Sequence, residues 1–237
     1  MPDDTALDGL DPYDIMDDEA ARLDRYFGGL DAEGWQRPSA CAGWDTHDML
    51  AHLAGSEEYN HACLDDAIPA LFERLQGYGV TDVDSFNAVG VSTRAGTSTD
   101  AVLTEWRGTC ERTRDELRAR DGSDIPTMVG PYPARWQAFH LASELATHAD
   151  DVGVPIDPAE AADRTDWRKR FALFALSESK PDVVVRPADG GTYVEVDGAP
   201  AVLSDEDLIA VTNGRLPGDH PLAPSMRSAL NVVGSGD

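Results

Sequence analysis

The chain has 237 residues, and its 44 acidic residues against 19 Lys and Arg give a formal charge of −25. Hydrophobic residues make up 41% of the sequence, which argues against a disordered chain, and the length allows one large domain or two modest ones. Phosphate backbones and anionic lipids repel such a charge, so we expect neither nucleic acid nor a membrane surface as partner. A lysine-poor, acidic composition can equally reflect genome composition or a salty cytoplasm.

The sequence also carries signals about location and redox state. No apolar run approaches the ~18–20 residues of a membrane span, and the N terminus is acidic, unlike a signal peptide. We therefore expect a cytoplasmic protein. Cys41, Cys63 and Cys110 are odd in number and widely spaced, which argues against a disulfide framework and a Cys-rich zinc site and favours packing roles.

The first two thirds of the chain have helical periodicity. The acidic residues 1–11 predict a loose N-terminal arm, and Asp11 and Asp45 are predicted helix N-caps. Apolar spacing predicts helices over about residues 12–28, 46–64, 71–75, 102–120 and 134–151. The four long helices predict a four-helix bundle. The stretches 78–97 and 122–133 are expected to be loops that shape a substrate pocket.

The pattern changes after Pro155. A further helix carries Trp167, and short Val-rich runs over 183–203 with Asp-Gly turns predict three strands. A last helix is expected over 205–213, closed by Gly214. The fold class is therefore α+β, with a helical bundle over 1–155 followed by a small α+β domain over 156–237, which we expect to cover one end of the site.

One helix carries a candidate metal-binding pattern. His140, Glu144 and His148 follow each other at steps of four, which places them on one helical face. A His and a Glu one turn apart can reach a single ion, but they can equally form a solvent-exposed charged pair. His52 lies on the apolar side of the second helix, where it could supply a third ligand or be a buried histidine bonded to backbone.

The sequence resembles a known family in two segments. Residues 35–55 read WQRPSACAGWDTHDMLAHLAG, and the positions that match the family's opening signature are Trp35, Pro38, Gly43, Trp44, Asp48, His52 and Leu53. The helix after Arg135 and Trp136 resembles the family's E-x-x-x-H-x-x-D-V pattern, through Glu144, His148, Asp151 and Val152. The family is that of the mycothiol-dependent maleylpyruvate isomerases, a branch of the DinB-like bundles. The resemblance covers about 13–155, with an echo at Asn213-Gly214-Arg215.

This resemblance implies a metal site made by His52, Glu144 and His148. Two imidazoles and a carboxylate favour zinc or a similar first-row divalent ion, and three protein ligands leave a coordination position for water or substrate. His140 can be an alternative ligand or an ordinary packed or solvated histidine. Asp151 can orient a ligand imidazole or be solvated at the end of the helix.

The resemblance also implies a small-thiol cofactor such as mycothiol. In the resembled isomerase the thiolate adds to a cis double bond, the bond rotates, and elimination returns the trans product. Arg215, and then Arg135, are the candidates to hold a substrate carboxylate. The predicted function is a metal- and thiol-dependent cis–trans isomerase or thiol S-transferase acting on a small molecule. A non-catalytic metal- or ligand-binding protein in stress response or regulation, and a metal-assisted hydrolase, remain alternatives.

Overall fold

The computed structural model describes residues 2–233, which form two compact units. A helical unit comprises residues 11–155, and an α+β unit comprises residues 2–10 together with 156–233. This is the predicted fold class, a helical N-terminal part followed by a small α+β part. Within the described residues, no helix is long and apolar enough to cross a membrane.

The helical unit is built on four long helices. Its elements are α1 (Pro12–Gly28), α2 (Thr46–Leu64), α3 (Ile68–Gln76), α4 (Val83–Ser92), α5 (Thr99–Ala119), the strands β1 (Asp124–Thr127) and β2 (Gly130–Pro133), and α6 (Ala134–Asp151). Helix α1 packs against α6 and α2 against α5, while α5 also contacts α1 and α6. The arrangement is the predicted four-helix bundle. At its centre the buried Trp106 packs edge-on against Phe27, whose ring stacks on Trp35.

Side-chain caps fix where the first two long helices begin. Asp11 accepts from the backbone N–H of Tyr13 at 2.9 Å, with proline at the first helical position. In α2, Asp45 accepts from the N–H of Asp48 at 2.9 Å, and Asp48 accepts from the N–H of Asp45 at 3.2 Å. This capping box sets the start of the helix that carries His52.

Two stretches expected to be loops contain regular structure. Residues 78–97 include α4, and residues 122–133 form the antiparallel hairpin of β1 and β2. Helix α4 is lightly buried: of its ten residues only Gly90 is buried, and Phe86 and Val89 are partly buried against Ala62, Leu71 and Leu75. It packs on α2 where two glycines meet, since a Cβ built on Gly55 would lie 2.9 Å from the Cα of Gly90.

The α+β unit combines helices with one antiparallel sheet. Its elements are α7 (Pro158–Ser179), β3 (Val184–Ala188), β4 (Gly191–Val196), β5 (Ala199–Leu203), α8 (Asp205–Thr212) and α9 (Pro224–Leu230). The strand order is β3-β4-β5, and the β4–β5 turn has positive φ at both Asp197 and Gly198, as a type I′ hairpin turn requires. The three predicted strands are confirmed. Gly214, with φ of +66°, follows α8 as predicted.

The N-terminal arm is not loose, contrary to the prediction. Residues 5–7 form a 3₁₀ turn, Leu7 is buried, and Arg170 of α7 donates from Nε to the carbonyl oxygen of Ala6 at 2.7 Å. The backbone N–H of Asp3 donates to Ser177 Oγ at 3.0 Å. The prediction rested on the acidic residues and overlooked the apolar leucine among them, whose burial favours attachment to α7.

Candidate metal centre

Helices α2 and α6 bring together three side chains that are distant in sequence. His52 and His148 are buried, and Glu144, one turn before His148, keeps about a third of its side chain exposed at 33%. His52 Nε2 lies 3.1 Å from His148 Nε2 and 3.7 Å from Glu144 Oε1. The three predicted ligands therefore converge at one point, with Glu144 on its solvent side.

The chemistry and spacing of these donors fit a divalent cation. Their three donor atoms all lie within 4.8 Å of one another. Ligand atoms bonded at about 2.0–2.1 Å in a tetrahedral zinc site lie roughly 3.3 Å apart. The measured 3.1 Å and 3.7 Å lie on either side of that value. Two imidazole nitrogens and one carboxylate oxygen are also the donor set of several catalytic zinc sites.

Asp151 fixes the orientation of one of the imidazoles. Its Oδ2 lies 2.9 Å from His148 Nδ1, and the carboxylate is itself buried. Because an ionised carboxylate only accepts, the neutral tautomer that fits this contact carries its proton on Nδ1 and leaves the lone pair of Nε2 on the side of His52. The same Oδ2 accepts from Cys41 Sγ at 3.4 Å. Of the two interpretations offered for Asp151, the structure supports the orienting contact.

Aromatic contacts hold the imidazole of His52. Its ring centroid lies 5.1 Å from Trp44 and 4.7 Å from His148, and the two imidazole planes are nearly perpendicular at 81°. Trp44 directly precedes the Asp45 cap of α2, so the signature segment supplies both the start of the helix and one wall of the site. Trp44, one of the residues that match the family signature, thus helps to position His52.

A buried glutamate lies near the donor set and was missed by the sequence analysis. Glu57 of α2 accepts from Thr113 Oγ1 at 2.5 Å and from Asn60 Nδ2 at 3.1 Å. Burial raises the pKa of its carboxyl, the two hydrogen bonds oppose that shift, and the negative charge of Glu144 adds to it. The available signal was an acidic residue on the side of α2 that carries its apolar residues.

The other predicted site residues make different contacts. His140 Nε2 is 3.0 Å from the hydroxyl of Tyr132, and His140 belongs to no described donor group that includes Glu144. Arg135 lies over the ring of Phe139, with Cζ 5.8 Å from its centroid, about 13 Å along the helix from Glu144 at 1.5 Å per residue. Arg215, in the α+β unit, donates from Nη1 to the carbonyl oxygen of Asn213 at 3.4 Å.

Neither of the remaining two cysteines belongs to a described donor group, and the molecule also has a cleft that excludes the donor set. Cys63 and Cys110 are buried, and burial raises the pKa of both thiols, as expected of packing residues. A cleft of about 290 Å³ opens between α2, α3, α4 and α5, and none of the three donors lines it. Arg94 forms its floor, paired with Glu58 at 3.0 Å and with Glu105 at 2.5 Å.

Comparisons with known proteins find one family and its fold. Residues 16–153 match the model of the mycothiol maleylpyruvate isomerase N-terminal domain. The crystal structure of a mycothiol-dependent maleylpyruvate isomerase is similar with a TM-score of 0.63 and 15% identity, over 88% of this chain and 89% of that one. A crystal structure of a histidine-to-alanine mutant of a mycothiol-dependent maleylpyruvate isomerase is similar with a TM-score of 0.61 and 14% identity. That match covers 86% of this chain and 88% of the mutant's chain. At these identities the likeness shows the fold. No curated protein sequence matches the chain.

Proposed function

Because this chain belongs to the family defined by the mycothiol maleylpyruvate isomerase N-terminal domain, we propose that it is a metal- and thiol-dependent enzyme. The reaction is a cis–trans isomerisation of a small carboxylated alkene or the transfer of a thiol to an electrophile. The cofactor is mycothiol or a similar low-molecular-weight thiol. The observation that carries the proposal is the convergence of His52, Glu144 and His148 within 4.8 Å.

The three proposed ligands differ in how they would bind the cation. His52 and His148 are buried and fixed, by Trp44 and by Asp151 respectively, so they provide a preorganised pair of nitrogen donors. Glu144 is partly exposed and supplies the anionic donor on the open side. A divalent cation held there supplies the positive charge that favours the thiolate form of a thiol at neutral pH. Three protein donors leave room for an outside ligand.

A carboxylated substrate also needs a cationic partner from this chain. A formal charge of −25 does not attract an anion, so local arginines must supply the attraction. We propose Arg215 for this role and Arg135 as the second candidate, since a guanidinium can bind a carboxylate through two parallel hydrogen bonds. The family resemblance at Asn213-Gly214-Arg215 supports the first choice.

A spectroscopic titration tests this function. The metal-free protein is loaded with cobalt, and the visible spectrum is followed as mycothiol, bacillithiol or glutathione is added. The proposal requires a spectral change with at least one of these thiols, and requires that His52→Ala abolishes it. A cobalt spectrum that no thiol alters would contradict thiol dependence and favour hydrolytic or non-catalytic metal binding.

A further inference from the structure

A chain of three side chains lies behind the donor atoms, on the side of His148 away from His52. Asp151 Oδ2 accepts from His148 Nδ1 at 2.9 Å and from Cys41 Sγ at 3.4 Å. We propose that Cys41 and Asp151 are positioning residues, which together hold His148 in the tautomer whose Nε2 binds metal. The inference rests on the metal site proposed above and assigns a role to a cysteine that the sequence analysis treated as packing.

The burial of Asp151 shows why its hydrogen bonds matter. A buried carboxylate loses hydration and is stable only when hydrogen bonds replace it. Asp151 is 7% exposed, at the last position of α6, where the helix dipole places partial negative charge. An acidic side chain is unfavourable at that end of a helix, so the contacts with His148 and Cys41 offset a real cost. The thiol therefore stabilises the acceptor that orients His148.

The backbone around Cys41 is fixed to the same helix end. The N–H of Ala40 donates to the carbonyl oxygen of Asp151 at 2.8 Å, and Ser39 Oγ accepts from the N–H of Cys41 at 3.2 Å. Ser39 Oγ also donates to the carbonyl oxygen of Trp44 at 2.9 Å. The turn over residues 39–44 thus holds the Cys41 thiol against Asp151 and places Trp44 beside His52. It therefore contacts the surroundings of both imidazoles of the site.

The same side chains could instead be metal ligands themselves, and the test must distinguish ligation from positioning. Donor atoms of Cys41, His148 and Asp151 lie within 4.8 Å of one another, as those of a soft cation's ligands would. Such a site would require His148 to release the Nδ1 proton while its Nε2 faces His52. The 2.9 Å contact with a carboxylate is instead the arrangement by which proteins orient a metal-binding histidine through its outer nitrogen. The geometry therefore favours positioning over ligation.

Metal affinity and histidine tautomer test the inference together. Zinc affinity is measured by competition with a chromogenic chelator. We expect Asp151→Asn to lower it roughly 10–100-fold, as loss of an outer partner does, and Cys41→Ala roughly two- to tenfold, as loss of one hydrogen bond does. Cys41→Ser retains a donor and should restore most of the affinity. Cys63→Ala, which removes a buried thiol about 16 Å along α2 from His52, is the matched control and should change nothing.

Nitrogen NMR of the metal-free protein provides the second readout. The imidazole of His148 should be protonated on Nδ1 in the wild type and Cys41→Ser, and a mixture of tautomers in Asp151→Asn. Wild-type affinity and tautomer in both Cys41→Ala and Asp151→Asn would overturn the inference. So would a thiolate-to-cobalt band, without added thiol, that Cys41→Ser removes, because Cys41 would then be a ligand. If the wild type binds no zinc, the proposed function fails, while the tautomer measurement still decides this inference.

Discussion

His52 Nε2 and His148 Nε2 lie 3.1 Å apart, although 96 residues separate them in sequence. Two buried imidazoles at that separation either share a proton or face a common cation. The carboxylate of Asp151 on the outer nitrogen of His148 and that of Glu144 3.7 Å from His52 together favour the cation.

Removing one imidazole should separate metal-linked stability from intrinsic stability. A ligand that binds only the folded state at a concentration 100 times its Kd stabilises it by about 2.7 kcal/mol. Zinc should therefore raise the Tm of the wild type by roughly 5–10 °C for a chain of this size. In His148→Ala zinc should have almost no effect. Differential scanning calorimetry with and without chelator measures both, and an equal zinc-dependent shift in the variant would exclude His148 as a ligand.

Glu57 should make the stability of the metal-free protein fall as the pH rises. Its folded pKa is raised by burial from the ordinary value of 4.5, so the folded state binds the proton more tightly than the unfolded chain. Between those two pKa values the free energy of unfolding falls with pH, by about 1.4 kcal/mol for each unit of difference. Glu57→Gln removes the titrating proton.

Urea denaturation across this pH range, in the presence of chelator, measures the effect. We expect a shallower pH dependence and a higher free energy of unfolding at neutral pH in Glu57→Gln than in the wild type. Glu73→Gln, at an exposed position of α3, is the comparison variant and should leave the pH dependence unchanged. Parallel pH profiles for the wild type and Glu57→Gln would show that the buried carboxyl is not the source of the slope.

The contact between α2 and α4 should not tolerate a methyl group. A Cβ on Gly55 would meet the Cα of Gly90 at 2.9 Å, closer than real Cβ contacts, and both partners are backbone. Gly55→Ala should therefore cost about 1–3 kcal/mol of stability, as overpacking does. Gly108→Ala in α5 is the matched control, since a Cβ there meets nothing within 4 Å, and it should stabilise by about 0.5–1 kcal/mol. Equal effects from chemical denaturation would refute the close approach.

The proposed carboxylate-binding arginine should affect turnover and not thiol binding. Arg215→Ala should leave the affinity for a thiol within twofold of wild type and lower kcat/KM for a carboxylated electrophile by about 10–100-fold. That range corresponds to a lost charged hydrogen bond of roughly 1.5–3 kcal/mol. Arg135→Ala is the parallel variant for the second candidate. A loss of thiol binding in Arg215→Ala would instead place this residue at the cofactor.

Some elements could be predicted from sequence because their signals are local. Helices α1 and α2 have caps within three residues of their starts, and the strands β4 and β5 are joined by an Asp-Gly turn. Helix α4 has a weaker signal, because its apolar Phe86 and Val89 are only partly buried and its backbone meets that of α2 at Gly90. The hairpin of β1 and β2 contains several prolines, which are typical of loops.

The site was predictable in part for a similar reason. Spacing alone left the pattern around Glu144 open between a metal site and a surface pair. His52 was a candidate third ligand from its place on the second helix, and the family resemblance favoured that interpretation. The contact of Cys41 with Asp151 spans 110 residues, and no local pattern encodes it. Glu57 and its partner Thr113 are likewise joined only by the packing of α2 against α5.

The central claim is that this chain uses a metal to bind a small thiol. Its most direct test is isothermal titration calorimetry of mycothiol into the zinc-loaded protein, repeated at several pH values. We predict one thiol per zinc, an affinity that rises with pH as thiolate forms, and no binding to His52→Ala or to the metal-free protein. Absence of binding by mycothiol, bacillithiol and glutathione at millimolar concentration to a protein shown to contain zinc would contradict the claim.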